Sequence, residues 1–288
     1  MNLIESFATR SPCYKTNLQQ LALDPADPRA DSRYQEYYRR FAAGDIYLFL
    51  HSLGCARASA AYQVERWNVE TNEDAIAHAV IDSNTGDVVQ ALPWAMRAWH
   101  VGSSGNSLAI GIEMAESDAI AYDQPKSWLF TVKDRAKAER HCRTTYNAAV
   151  ELFARLCKTF GLDPATRILS HKESHALGIG SNHGDPEHYW SGMSMPYTMD
   201  GFRADVADKL AELGGAVDPA PGAGASESGF LGFPDVSADA WYAEAMEWAV
   251  EHKIVLQSGK PFRPNDPIDK ATFIVLLRRL WIALQPSE

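Results

Sequence analysis

The chain contains the run Ile46-Tyr47-Leu48-Phe49-Leu50, five consecutive apolar side chains followed at once by His51. A short continuous apolar run is typical of a strand buried on both faces, so His51 is expected at its carboxyl end. Leu108–Met114 predicts a second apolar strand. Arg167–Ser170 predicts a shorter one, and it again ends at a histidine, His171.

The segments around these strands predict the fold class. Residues 75–82 and 87–91, joined across Asn84-Thr85-Gly86, predict a β-hairpin. From Arg135 to Phe160 apolar residues recur at helical spacing, and Gly161 is suited to end that helix. Strands alternate with helices, so we expect an α/β fold with a mixed central sheet flanked by helices.

Composition excludes several classes of protein. The 288 residues correspond to about two domains, and the hydrophobic and charged fractions of 46% and 22% are those of globular chains. No window has the roughly 18 apolar residues of a membrane span, and no secretory signal is recognisable. The net charge of −10, from 27 basic and 37 acidic residues, disfavours nucleic acid as a partner because phosphate binding needs a basic face.

A linker is predicted at residues 214–229, GGAVDPAPGAGASESG, because this composition cannot bury apolar area. We therefore predict a first domain at 1–213 and a small helical domain at 230–288. In the second domain one helix would carry Trp241, Ala245, Trp248 and Ala249 on a shared face. Asp269 would cap another helix, which would carry Phe273, Leu276, Leu277 and Leu280.

Histidines at the ends of two strands indicate a metal site. His51 and His171 would meet if both strands end at the same edge of one sheet. Catalytic zinc takes three protein ligands and keeps a fourth position for water. The polar region after His171, which includes GIGSNHGDPEHYW at 178–190, offers four candidates for the third ligand, and spacing does not choose between them: His175, His183, Asp185 and His188.

Glu113 is the candidate general base. Side chains alternate along a strand, so Ala109, Gly111 and Glu113 share one face of Leu108–Met114. Two small residues beside a carboxylate leave room for a ligand and place Glu113 in a pocket; the alternative is a solvated glutamate at a strand end. A glutamate beside a zinc-bound water can take its proton and pass it to a leaving amine.

Several segments, in order, resemble the type-2 family of zinc-dependent N-acetylmuramoyl-L-alanine amidases, which is related to the peptidoglycan recognition proteins. They are His51–Gly54, Ala77–Asp82, Leu92–Trp94, Ala98–Gly102, Asn106 and Ala109–Glu113. Three later segments resemble the phage and prophage branch, namely Ser170–Glu173, Ser181–Pro186 and Met199–Arg203. The resemblance covers residues 11–210 and implies the type-2 amidase fold.

The resemblance also implies roles for individual residues. Asp185, followed by Pro186, stands where the family has its third ligand, so the implied zinc set is His51, His171 and Asp185. His183 stands where many relatives have a lysine that stabilises the oxyanion, although an unperturbed imidazole titrates near pH 6.5. Relatives with a catalytic tyrosine would have it at Ala77, which leaves Glu113 as the base. The implied substrate contacts are His78, Trp99, His100 and Asn106, with packing an equal alternative for His78.

Residues 233–283 resemble one S-layer homology repeat, through Phe233–Val236, Trp241-Tyr242 and the turn Phe262–Pro267. The implied role is attachment to a secondary cell-wall polymer. The usual Thr-Arg-Ala-Glu stretch reads Asp269–Thr272 here, and one repeat is present where three usually cooperate. We therefore expect either binding through self-association of these repeats or a domain that mainly makes the enzyme a homo-oligomer.

The resemblance implies hydrolysis, by zinc-activated water, of the amide between N-acetylmuramic acid and the L-alanine of the stem peptide in bacterial peptidoglycan. Because no export signal is visible, we expect a phage or prophage endolysin held in the host cytoplasm until release to the cell wall. A peptidoglycan-binding protein without catalysis is disfavoured because every ligand position and Glu113 carry competent residues. An intracellular amidase that recycles muropeptides is disfavoured by the C-terminal repeat. Residues 1–45 could line the groove or only brace it.

Overall fold

The computed structural model describes residues 1–72, 75–123, 128–214, 230–231, 233, 236, 243–252, 254–255 and 262. The chain divides into two compact units, Met1–Asp218 and Pro219–Glu288. Within the described ranges, none of the helices has the length and apolar character needed to cross a membrane.

The elements of the first unit alternate between strands and helices. Its described strands are β1 (Leu3–Glu5), β2 (Tyr47–Ser52), β3 (Ala79–Ile81), β4 (Val88–Gln90), β5 (Ala109–Met114), β6 (Ile120–Tyr122), β7 (Phe130–Val132) and β8 (Ile168–Ser170). Its described helices are α1 (Pro12–Leu21), α2 (Ser32–Ala42), α3 (Ala60–Trp67), α4 (Arg135–Phe160), α5 (Pro164–Arg167), α6 (His171–Ala176), α7 (Glu187–Gly192) and α8 (Met199–Glu212). A short 3-10 helix spans Ser104–Ser107.

Six strands form one mixed sheet in the order β1-β4-β3-β5-β2-β8. All neighbours run parallel except β3 and β4, which form the antiparallel hairpin predicted around Asn84-Thr85-Gly86. The strands β6 and β7 pair separately. The predicted α/β class, with a mixed sheet flanked by helices, is confirmed.

The sheet is covered on one side by α4, which packs against β3, β5 and α8. The helix ends where the sequence predicts, because Gly161 adopts the left-handed conformation with φ +65°. Leu48, Leu50, Ile110 and Ile112 are fully buried in the core cluster that contains the apolar face of α4. Strand alternation then turns Phe49 and His51 of β2, with Gly111 and Glu113 of β5, to the other face.

Several elements were not predicted from the sequence, and they lie mainly in the first 72 residues. The strand β1 is a three-residue parallel edge strand with exposed side chains, too short to give a period. The helices α1 to α3 also escaped prediction. The short helix α5, capped by the Asp163 side chain, and the helix α6, which begins at His171, were not predicted either.

The second unit has its own apolar cluster. Its buried members are Phe233, Val236 and Met246, the last from the helix α9 (Ala243–Glu251). Trp248 of this helix is 43% exposed and stacks on His252. Trp241 and the second predicted helix, with Asp269, Phe273, Leu276, Leu277 and Leu280, lie outside the described residues.

Candidate active site

The carboxyl ends of β2, β5 and β8 bring the predicted site residues to one edge of the sheet. Because β2 is parallel to both neighbours, all three strands end on the same side. His51 pairs in register with Glu113, and Leu50 pairs with Ser170, which directly precedes His171. His51 and His171, which are 120 positions apart in the sequence, therefore lie side by side.

Asp185 completes a buried cluster with the two histidines. The Nδ1 atoms of His51 and His171 are 3.1 Å apart. The Asp185 carboxylate lies 3.1 Å from His51 Nδ1 and 3.3 Å from His171 Nδ1. Each of the three residues is at most 3% exposed. Of the other candidates for the third position, His175 is exposed, His188 contacts Glu116 and Tyr122, and His183 lies half-exposed at the rim.

The proton on His51 can be placed from its neighbour His100. His100 Nε2 lies 3.2 Å from the carbonyl oxygen of Ala109, which only accepts, so this nitrogen carries the hydrogen. Burial holds the pKa of His100 well below its usual value, so the ring is neutral and its Nδ1 accepts from His51 Nε2 at 2.9 Å. Burial also lowers the pKa of His51, so this ring is neutral too. Because its proton is on Nε2, its Nδ1 carries a lone pair and no proton.

The orientation of His171 follows from Ser181. The Ser181 hydroxyl donates to the carbonyl oxygen of Val101 at 3.2 Å, so it accepts from His171 Nε2 at 2.9 Å. An imidazole that donates through Nε2 presents a lone pair on Nδ1 when it is neutral, and His171 Nδ1 faces His51 and Asp185. The helix that carries it is fixed by a capping box between Ser170 and Glu173, and Arg203 of α8 binds both oxygens of Glu173 at 3.0 Å.

The cluster fits a zinc ion. Two imidazole lone pairs and one carboxylate face one another with no proton between them, which is unfavourable unless a cation joins them. Ligands about 2.0–2.1 Å from a tetrahedral zinc ion lie about 3.3 Å from one another, close to the separations found here. In addition, both Nε2 atoms are held by hydrogen bonds, the usual support for metal-binding histidines.

Glu113 lies beside this cluster in a region that disfavours charge. Burial raises the pKa of Glu113 well above its usual value, and the nearby carboxylates of Asp185 and Glu116 add to this. Its Oε2 atom is buried and has no hydrogen-bond partner among the described residues. A carboxylate with a raised pKa and a free oxygen is suited to accept and return a proton.

Glu116, Tyr122 and His188 form a network that the sequence analysis missed. Glu116 accepts from the Gly54 amide at 3.0 Å and the Tyr122 hydroxyl at 2.6 Å, and Tyr122 also contacts His188 Nε2 at 2.8 Å. Burial raises the pKa of Glu116 to about 7. The position of Glu116, three residues after Glu113 and next to the small residue Ala115, was the signal that could have found it.

His183 lies at the rim of the cluster. Its Nδ1 is 3.8 Å from Asp185 Oδ1, its ring is 4.3 Å from that of His171, and its side chain is 49% exposed. Burial and the neighbouring His171 lower the pKa of His183. At neutral pH it is therefore an uncharged imidazole that can still donate one hydrogen bond.

Two of the four residues implied as substrate contacts, His78 and His100, are buried within the amidase unit, which for His78 is the packing alternative. His78 is fully buried and bonded to the Gly111 amide, the Met96 carbonyl and Tyr37. His100 is 5% exposed and orients His51, so neither histidine is available to a substrate. The space beside Gly111, predicted to admit a ligand, is filled by the His100 ring, with which an added Cβ would collide.

Asn106 and Trp99 also have structural partners. The Asn106 side-chain oxygen accepts from the amides of His100 and Val101, both at 2.9 Å, and so holds the segment that carries His100. Trp99 Nε1 donates to the Tyr34 hydroxyl at 2.8 Å. Both residues line a cavity of ≈ 950 Å³ together with Ser32, Arg33, Tyr34 and Arg97. Within residues 1–45, Tyr37 therefore braces His78, and α2 lines this cavity.

Comparison with known proteins agrees with this geometry. Residues 46–188, about half of the chain, match the family model for N-acetylmuramoyl-L-alanine amidase. These residues belong to the type-2 amidase family. Residues 232–274 match the model of the S-layer homology domain. The resemblances found in the sequence are therefore confirmed for both units.

The fold of the amidase unit is also found in a solved structure. The Staphylococcus aureus hydrolase AmiA, determined in complex with its ligand, is 16% identical and has a TM-score of 0.50; the match covers 76% of this chain and 88% of AmiA. The catalytic domain of XlyA is 22% identical with a TM-score of 0.39, over 72% of this chain and 99% of that domain. No curated protein sequence matched the chain.

The support of His51 by His100 can be tested through metal affinity. We expect His100→Ala to weaken zinc binding by about 10-fold to 100-fold, because His51 loses the acceptor that fixes its tautomer. Affinity would be measured by competition with a chromogenic chelator, with thermal unfolding as a check on folding. His175→Ala removes an exposed histidine of the same region and should bind zinc as the wild type does. Equal affinity in both variants would contradict the role given to His100.

Proposed function

We propose that this chain hydrolyses the amide bond between N-acetylmuramic acid and the L-alanine of the stem peptide, with a zinc ion held by His51, His171 and Asp185. Family membership supports a peptidoglycan amidase. One observation supports the zinc mechanism. His51, His171 and Asp185 meet next to the buried carboxylate of Glu113, whose Oε2 has no hydrogen-bond partner among the described residues.

The residues have separate roles in the proposed reaction. A zinc ion at this site would polarise the scissile carbonyl and lower the pKa of a water molecule. Glu113 takes the proton from the attacking water on its free Oε2 and passes it to the alanine nitrogen as the amine leaves. His183 donates a hydrogen bond to the carbonyl oxygen as negative charge develops there. His100 and Ser181 keep both zinc-binding imidazoles oriented.

The second unit is proposed to hold the enzyme on the cell wall. The S-layer homology match implies binding to a cell-wall polymer. A chain with a net charge of −10 gains little non-specific attraction from an anionic envelope, so its retention there needs specific recognition. We propose that the enzyme acts at the bacterial cell wall. Self-association of the second unit and a role in phage or prophage lysis stay predictions.

The bond cleaved is tested by identifying the products from purified cell walls. We expect the turbidity of the wall suspension to fall, with one new amino-terminal alanine for each bond cut, and a chelator should stop this. Amino termini would be labelled and identified, and reducing sugars measured in the same samples. New reducing ends without new amino-terminal alanine would contradict the proposal, since they indicate glycan cleavage.

The metal and proton-transfer roles are separated by two variants. Asp185→Ala should lose both bound zinc and activity, because it removes one of three ligands. Glu113→Gln keeps the size of the side chain and should retain zinc while kcat falls by about 10²-fold to 10⁴-fold. Zinc content would be measured by mass spectrometry beside the release of alanine termini. An Asp185→Ala enzyme that is free of zinc and still active would exclude the ligand assignment.

The role of the second unit is tested with a chain that ends at Leu213. We expect its affinity for purified walls to fall on the order of 100-fold, because two linked modules reinforce each other's binding. Sedimentation with walls measures the affinity. Cleavage of soluble muropeptides serves as the control and should match the full chain. Unchanged wall binding by the shorter chain would argue against attachment through this unit.

A further inference from the structure

Trp128 is an exposed aromatic residue next to the active site with no role in the chemistry described above. The residue is 42% exposed, and the following Leu129 is 71% exposed. Single exposed apolar residues are ordinary on protein surfaces. An exposed indole beside a catalytic cluster, in an enzyme that must bind a large substrate, calls for a functional explanation.

The strands around Trp128 are fixed to the amidase core. Tyr122 of β6 pairs in register with Phe130 of β7, and their rings are 5.4 Å apart. The Phe130 ring packs against Tyr189 and so closely against Gly192 that a Cβ there would collide with it. The Tyr122 hydroxyl is bonded to Glu116 and His188. Trp128 therefore stands two residues from a well-anchored strand.

Trp128 packs against two imidazoles, and one of them, His183, contacts a proposed zinc ligand. Its indole meets His183 with ring centroids 5.4 Å apart and His188 with centroids 5.0 Å apart, both edge to face. The His183 ring is in turn 4.3 Å from that of His171. The indole is thus held in place at the rim of the site by aromatic contacts, while much of it remains open to solvent.

The chemistry of the substrate indicates what an aromatic ring at this distance would contact. The scissile amide is joined through a lactyl group directly to the sugar, so a pyranose ring must lie close to the attacked carbonyl. A pyranose has a face of C–H groups, and an indole offers a broad apolar face with negative charge density to receive it. We propose that Trp128 is a stacking platform for the muramic acid ring, an inference that rests on the proposed function.

The platform is tested with two fragments that lack the scissile bond. One is the disaccharide of N-acetylglucosamine and N-acetylmuramic acid, and the other is the free stem peptide that begins with L-alanine. Calorimetric titration of the full-length protein should give about tenfold weaker disaccharide binding for Trp128→Ala, with peptide binding unchanged. Tenfold corresponds to about 1.4 kcal/mol. Trp128→Phe keeps an aromatic face and should recover most of the loss.

Leu129→Ala is the matched control, because it shortens an exposed apolar side chain at the adjacent position. This variant should bind both fragments as the wild type does. The platform is overturned if Trp128→Ala binds the disaccharide normally, if it loses both fragments equally, or if the wild type has no measurable affinity for the disaccharide. The outcome is independent of the product assay: absence of new alanine termini would refute the amidase proposal, while Trp128-dependent sugar binding would still stand.

Discussion

Three electron-pair donors without a proton between them repel one another, and the amidase unit holds such a trio in its interior. His51, His171 and Asp185 meet within 3.3 Å, each almost completely buried. An arrangement of this kind needs a cation to be favourable and rigid support to persist without one. Much of the surrounding structure can be understood as that support.

The support comes from residues outside the three that form the cluster. Gly111 has no side chain, so His100 can lie flat against β5 and accept from His51. Asn106 holds the backbone of the segment that carries His100. On the other side, Arg203 clamps the capping glutamate of the helix that begins with His171. Motifs that look like substrate contacts in the sequence are thus largely devices that fix tautomers and ring orientations.

In the proposed function, the two units divide catalysis from attachment. Zinc chemistry requires a dry and pre-formed cluster, which the six-stranded sheet and its supporting hydrogen bonds supply. Attachment to an anionic wall by an acidic chain has to come from specific contacts, and a separate S-layer homology unit is suited to supply them. In the proposal for Trp128, the sugar ring is recognised at the rim of the amidase site, outside its buried interior.

Local pattern alone determined the central strands, the hairpin, the long helix and its glycine end, because apolar periodicity and turn residues are properties of short segments. It also placed His51 and His171 at strand ends and Glu113 on one face of its strand, because apolar runs and strand alternation are local patterns. Spacing left the third ligand open, and the family resemblance implied Asp185. The buried roles of His78 and His100, and the network of Glu116, Tyr122 and His188, depended on tertiary structure. These are contacts between residues far apart in the chain, and spacing cannot reveal which side chain a distant segment turns toward its neighbour.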